Sequence, residues 1–296
     1  MRIRPAYQNV LGRATFELNA TGDGSGVSTL RMRASANTTL TLVGDANFYT
    51  NSGGTEGESK TRTVGTSMTI IYLKCTGTAR LVIPEQRLIT QMGDVSNPGW
   101  VSGTNAASIS SAGFPLRNLT SLNIAGSGSF AGKLPDLLTT AILNNTLLYW
   151  TLPSSLPAGL TTLVIIGNNV IYSSISTLPT GLTALRLESN AINWTGFDVS
   201  GTGNMTFFSL ANFVTTAMTV TQLIALLSSM AGRSGNLPAT CTISDYSNSP
   251  TAATIAAATS DVNGTDAEKA KYWIDQIFAN KATTTIALQG TNITKP

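Results

Sequence analysis

Over residues 1 to about 92, apolar side chains occupy every second position of short runs. Val27-Ser-Thr-Leu-Arg-Met-Arg, Thr39-Leu-Thr-Leu-Val and Ser67-Met-Thr-Ile-Ile-Tyr-Leu-Lys-Cys alternate in this way, parted by Gly-rich breaks such as Thr21-Gly-Asp-Gly-Ser-Gly and Asn51-Ser-Gly-Gly. Successive side chains of a strand point to opposite faces. Alternation rich in β-branched residues therefore predicts half-buried antiparallel strands, here an all-β sandwich or barrel.

After the turn-rich stretch Asp94-Val-Ser-Asn-Pro-Gly-Trp the texture changes. Leu134-Pro135, Leu156-Pro157 and Leu178-Pro179 recur every 22 residues, followed at constant offsets by Leu138, Leu160 and Leu182 and then by Ala141, Leu163 and Leu185. A fixed period of this length marks stacked supersecondary units, each too small to bury its apolar face alone. Aligned on L-x-x-L-x-L-x-x-N, the units read Leu119/Leu122/Ile124, Leu138/Ala141/Leu143, Leu160/Leu163/Ile165/Asn168, Leu182/Leu185/Leu187/Asn190 and a degenerate Met205/Phe208/Leu210. Further on, Leu223, Leu226, Leu227 and Met230 share one helical face. Thr265-Asp-Ala-Glu is a capping box opening a second helix with an Ala270, Trp273, Ile274, Ile277, Phe278 stripe. Short β-rich runs, Thr240-Cys-Thr-Ile-Ser and Thr285-Ile-Ala-Leu-Gln, follow the helices and predict extra strands linked by helical crossovers that close the array. The chain thus divides into an all-β domain over 1–95 and a repeat domain with a helical C-terminal cap over 96–296.

These repeats resemble leucine-rich repeat proteins. The segments Leu156-Pro-Ala-Gly-Leu-Thr-Thr-Leu-Val-Ile-Ile-Gly-Asn-Asn and Leu178-Pro-Thr-Gly-Leu-Thr-Ala-Leu-Arg-Leu-Glu-Ser-Asn are similar to the short bacterial subclass, whereas Phe130-Ala-Gly-Lys-Leu-Pro is nearer the longer form. The resemblance implies a solenoid with one short parallel strand per coil, leucines inward, and an inward Asn at the ninth position, kept at Asn168 and Asn190. It also implies a concave face built from the residues between the leucines. Read this way, the candidate binding residues are Asn123, Ile142, Asn144, Val164, Ile166, Arg186 and Glu188, with Ile142, Val164 and Ile166 forming an outward apolar stripe.

Composition narrows the chemistry. The chain of 296 residues holds no histidine, and only 11% of it is charged, against a usual ~25%. Thr, Ser, Asn and Gly supply about two-fifths of it instead. Without histidine there is no Ser-His-Asp or Cys-His arrangement and no commonest metal ligand, and no nucleophile elbow, phosphate loop or metal motif appears. Asp23, Asp45, Asp94 and Asp198 sit in turns, which their turn-forming chemistry explains. We therefore expect no catalytic residue, no metal and no cofactor. The formal net charge of +3 argues against nucleic acid, which selects a clustered basic face. Arg2, Arg4, Arg13, Arg31 and Arg33 gather near the start, as solvated strand edges or as an anchor for an acidic partner. Cys75 and Cys241, far apart, are expected to be buried free thiols. No apolar run long enough for a secretory signal or a membrane span occurs, so synthesis in the cytoplasm is expected.

A β-rich first domain, a repeat second domain and a weakly charged Thr/Ser/Asn/Gly surface are similar to virion structural proteins of bacteriophages whose tail or head appendages carry leucine-rich repeats. The resemblance implies a non-enzymatic virion component. Its first domain would join the particle, and its repeats would be displayed to other virion proteins, to further copies of the chain or to a host-surface glycan or protein. The alternative is a bacterial leucine-rich repeat adhesin or effector, surface-displayed or injected. A glycan hydrolase in the first domain would need two carboxylates facing each other in a cleft.

Overall fold

The structure is a computed structural model that describes residues 13–20, 23–94, 98–101, 108–111, 116, 118–125, 128–130, 134–144, 148–152, 156–167, 170–172, 178–188, 191–192, 194, 197–211, 217–244, 246 and 250–296. Arg2, Arg4, Asn168 and Asn190 lie outside them. Among the described residues the fold is mostly β, with 42% strand and 17% helix, and the chain forms two compact units, Met1–Trp150 and Thr151–Pro296.

The first unit contains β1 (Ala14–Asn19), β2 (Val27–Ala34), β3 (Thr38–Tyr49), β4 (Thr61–Val64), β5 (Thr69–Ile83), β6 (Ile89–Met92), β7 (Trp100–Val101), β8 (Ser108–Ser111), β9 (Ser121–Ala125), β10 (Gly128–Phe130) and β11 (Thr140–Asn144), and β12 (Leu148–Leu152) runs across its end. The alternation read from the sequence sets which face is buried: Phe16 and Leu18, Leu30 and Met32, Leu40 and Leu42, and Leu73 and Leu81 are at most 2% exposed. The long strand β5 organises the antiparallel part. One edge of it carries β3, and the other carries β2 at its start and β1 at its end. The β3–β5 register slips between Gly44 and Ala46, where Gly44 has φ +95° and a Cβ would lie 2.6 Å from the Thr78 carbonyl oxygen. Only glycine tolerates that bulge without strain.

From there the pairing turns parallel along two strips. On one, β2 pairs antiparallel with β6 and β7, which both pair parallel with β9, and β9 pairs with β11. On the other, β1 pairs antiparallel with β8, and the parallel succession β8, β10, β12 follows. Strands β6 and β7 therefore cover the open edge of β9, the first repeat strand, whose Leu122 and Ile124 are 0% and 1% exposed. An uncovered edge would present unpaired backbone groups.

The second unit holds β13 (Thr162–Ile166), β14 (Val170–Tyr172), β15 (Ala184–Glu188), β16 (Ala191–Ile192), β17 (Phe207–Ala211), α1 (Val220–Gly232), β18 (Thr240–Ile243), α2 (Ala252–Ala257), α3 (Asp266–Asn280), β19 (Thr285–Leu288) and β20 (Thr291–Thr294). Its parallel ladder runs β13, β15, β17, β18, β19. Equivalent repeat positions pair directly: Leu163 with Leu185 and Leu185 with Phe208, then Ile165 with Leu187 and Leu187 with Leu210. All six are at most 2% exposed, because steps of 22 residues from β13 to β15 and 23 from β15 to β17 return each core side chain to the same place. The strip β14–β16 is a second row, formed by the short runs Val170-Ile-Tyr and Ala191-Ile, which the leucine template had not singled out.

Both expected helices form. Thr219 caps α1 through a reciprocal box with Gln222, and Leu223, Leu226, Leu227 and Met230 are buried, each worth about 2 kcal/mol of apolar burial. Thr265 and Glu268 cap α3, which buries Ala267, Ala270, Ile274, Ile277 and Phe278. Trp273, expected in that stripe, is half-buried and meets Tyr272 edge-on with ring centroids 5.0 Å apart. Helix α2, capped by Thr251, was not anticipated. The last strand β20 reverses on β19 through Gln289 and Gly290 (φ 46° and 78°), the two positive-φ residues that a tight hairpin turn of the primed type requires. It ends the ladder. No described helix is long and apolar enough to cross a membrane.

Candidate functional site

The face of the ladder opposite the leucine core carries the alternate residues of each strand. In the second unit three registers cross it. Thr162, Ala184 and Phe207 form the first, Val164, Arg186 and Ser209 the second, and Ile166, Glu188 and Ala211 the third. Arg186 and Glu188 are two apart on one strand, hence on the same side of it. Arg186 donates through Nε to Glu188 Oε1 at 2.8 Å and through Nη2 to Oε2 at 2.9 Å, and the Ser209 hydroxyl donates to Oε1 at 3.1 Å. The Glu188 side chain is 16% exposed and the Arg186 side chain 40%. The hydrogen bonds it donates to Glu188 hold the Arg186 guanidinium above its ordinary range. A two-point guanidinium–carboxylate pair fixes both planes, so the charges cancel in place while each group keeps hydrogen-bonding capacity outward. Val164 and Ile166, both half-buried, flank the pair.

Phe207 stands on the same face at 45% exposure and was missed by the sequence reading. The available signal was parity: it lies two before Ser209, which is on the face opposite the core though itself 6% exposed, and one before the core residue Phe208.

The other candidates fare differently. Asn123 is 2% exposed and Ile142 6%, and Asn144 is half-buried. Asn123 is covered by the preceding segment: its Nδ2 donates to the Asp94 carbonyl at 2.6 Å, and its own carbonyl accepts from Gly99 N at 2.6 Å. The expected outward stripe therefore loses Ile142 and is confined to Val164 and Ile166.

On the helical side of the second unit, Trp194, Phe197, Met218, Thr221, Gln222, Ala225 and Leu226 line a cavity of about 280 Å³. Trp194 and Phe197 meet edge-to-face at 5.3 Å and 86°, and no lining residue is charged. Cys75 and Cys241 are free and buried. Burial raises the Cys75 thiol above its ordinary value and pushes Cys241 up to about 12, so both stay protonated and unreactive at neutral pH. Among the described residues no three of the acidic or cysteine side chains converge as metal ligands. The arrangement offers shape, an aromatic ring and paired charges: a surface for contact.

No family description, curated protein or solved structure matches the chain.

Proposed function

We propose that the chain is a non-enzymatic structural protein of a bacteriophage virion, built as a leucine-rich repeat solenoid behind an all-β N-terminal domain. The N-terminal strands join the particle, and the outward ladder face is displayed to other virion proteins or to a glycan or protein of the host surface. One observation carries the contact role: Phe207, Val164 and Ile166 surround the pre-paired Arg186–Glu188 on a face made rigid by in-register parallel strands. An exposed aromatic ring beside a self-neutralised ion pair is a typical centre for a binding patch, since it supplies apolar area without burying an unpaired charge.

The test uses particles from the producing host, with Val164→Lys and Phe207→Ala changes in the full chain. We expect the chain as a multicopy particle component, both variants incorporated at wild-type level, and host-surface binding reduced at least tenfold. Particles lacking the chain would favour an adhesin or effector. Assembly lost through Val164→Lys would make the repeats the anchor and reverse the roles.

A further inference from the structure

The loop after α1 holds a cation with no counter-charge among the described residues. Arg233, at the C-terminal end of α1, is 3% exposed. Its Nη2 donates to the carbonyl oxygens of Thr202, at 3.4 Å, and Gly203. Its Nε and Nη1 are sealed from solvent and have no acceptor among the described residues. A guanidinium carries five N–H donors and never accepts, and proteins bury one only with its donors satisfied and its charge compensated.

No described carboxylate compensates it. The adjoining charged group, Lys281, is a second cation whose Nζ donates to the Arg233 carbonyl, and its pKa is lowered by burial and by Arg233. No carboxylate pairs with either residue among the described ones. Cys241, fully buried beside the guanidinium, is a neutral thiol at neutral pH, whereas Arg233, pushed down to about 10 by burial, is still charged there. The carbonyls at the end of α1 offer only the partial negative charge of a helix C-terminus. The surroundings are held firmly: Met205 N donates to the Asn236 carbonyl at 2.8 Å, Asn236 N donates to Asn204 Oδ1 at 2.8 Å, and Thr283 Oγ1 donates to the Pro238 carbonyl at 3.0 Å. Gly235 packs so closely on Gly203 that a Cβ there would collide with its backbone. The loop therefore has no freedom to swing Arg233 out to water.

We infer that the C-terminal cap of the second unit binds one monatomic anion, chloride in practice, at the unpartnered Nε–H and Nη1–H groups of Arg233, with Lys281 as the second positive charge. A halide suits the place better than an oxyanion: the donors are sealed, Cys241 and Thr283 are completely buried, and a single spherical acceptor needs no further donors for extra oxygens. The bound ion would tie the end of α1, the 202–204 turn and the start of β18 to the end of α3. It is independent of the virion reading.

The test is thermal unfolding of the full chain in sodium chloride against sodium gluconate at constant ionic strength, which keeps screening equal. Binding of one ion to the folded state raises the melting temperature of the second unit by about 3–6 °C per tenfold increase in chloride above its dissociation constant. Bromide should act alike and sulfate should not. Arg233→Met should abolish the response, and Lys281→Met should weaken it. Line broadening of the chloride NMR signal by the wild-type chain gives a second readout that needs no variant: saturable broadening, displaced by bromide, is expected. Equal melting in chloride and gluconate, equal stabilisation by sulfate, or no excess broadening would overturn the site. In those cases water or an oxyanion satisfies Arg233.

Discussion

Replacing Leu185 with Ala tests the phase of the ladder most directly. Leu185 is 0% exposed in β15, between Leu163 and Phe208 on the two neighbouring strands. The substitution removes about three methylene equivalents at ~0.8 kcal/mol each, or about 2.4 kcal/mol of transfer free energy. Strands on both sides are held in register by backbone hydrogen bonds and cannot close the gap, so a cavity contribution of about 1–2 kcal/mol adds to it. The expected loss is about 4 kcal/mol. With a urea dependence of roughly 2 kcal/mol/M for a unit of this size, the unfolding midpoint should fall by about 2 M, read by circular dichroism and tryptophan fluorescence. Val164→Thr, on the opposite face of β13 and equally β-branched, should shift stability by less than about 0.5 kcal/mol. An unchanged midpoint for Leu185→Ala, or a larger loss for Val164→Thr, would mean that the alternation has the opposite phase and that the proposed contact face is the core.

Three further outcomes follow from the capping and edge contacts. Thr219→Ala removes the oxygen that accepts from Gln222 N at the start of α1 and should cost about 1 kcal/mol, measured as a lower unfolding midpoint; Thr219→Ser should restore most of it. Glu268 is held below the usual carboxylate range by the Thr265 N–H first, and then by the Thr259 and Thr265 hydroxyls. Its contribution is thus complete above the unfolded-state value and lost as pH falls through the lower folded value, so wild type should lose stability on acidification relative to Glu268→Gln, and parallel pH profiles would refute this. A chain lacking residues 1–92 loses β2 and β6 and leaves β9 with an open edge along Ser121 and Leu122; hydrogen exchange should show β9 and β11 unprotected while β15 to β19 stay protected, and native protection of β9 would contradict the pairing.

Much of this architecture is written in short-range pattern. A period of two marks β2, β3 and β5, a period of 22 places Leu163 and Leu185, and Thr-x-x-Glu marks where α3 begins, because strand alternation, coil length and capping depend on residues close in sequence. The site was legible only in part. Arg186 and Glu188 were found because same-face spacing along one strand is local, and Val164 and Ile166 followed from the repeat. Asn123 and Ile142 obey the same pattern yet are buried, since a residue's exposure depends on which distant segment lies over it, as Asp94 and Gly99 do over Asn123. Phe207 and Arg233 lie at the other extreme. Whether an aromatic ring stands free, or a guanidinium finds an acid, depends on what the folded chain brings or fails to bring within a few ångströms, and no spacing along the sequence encodes that.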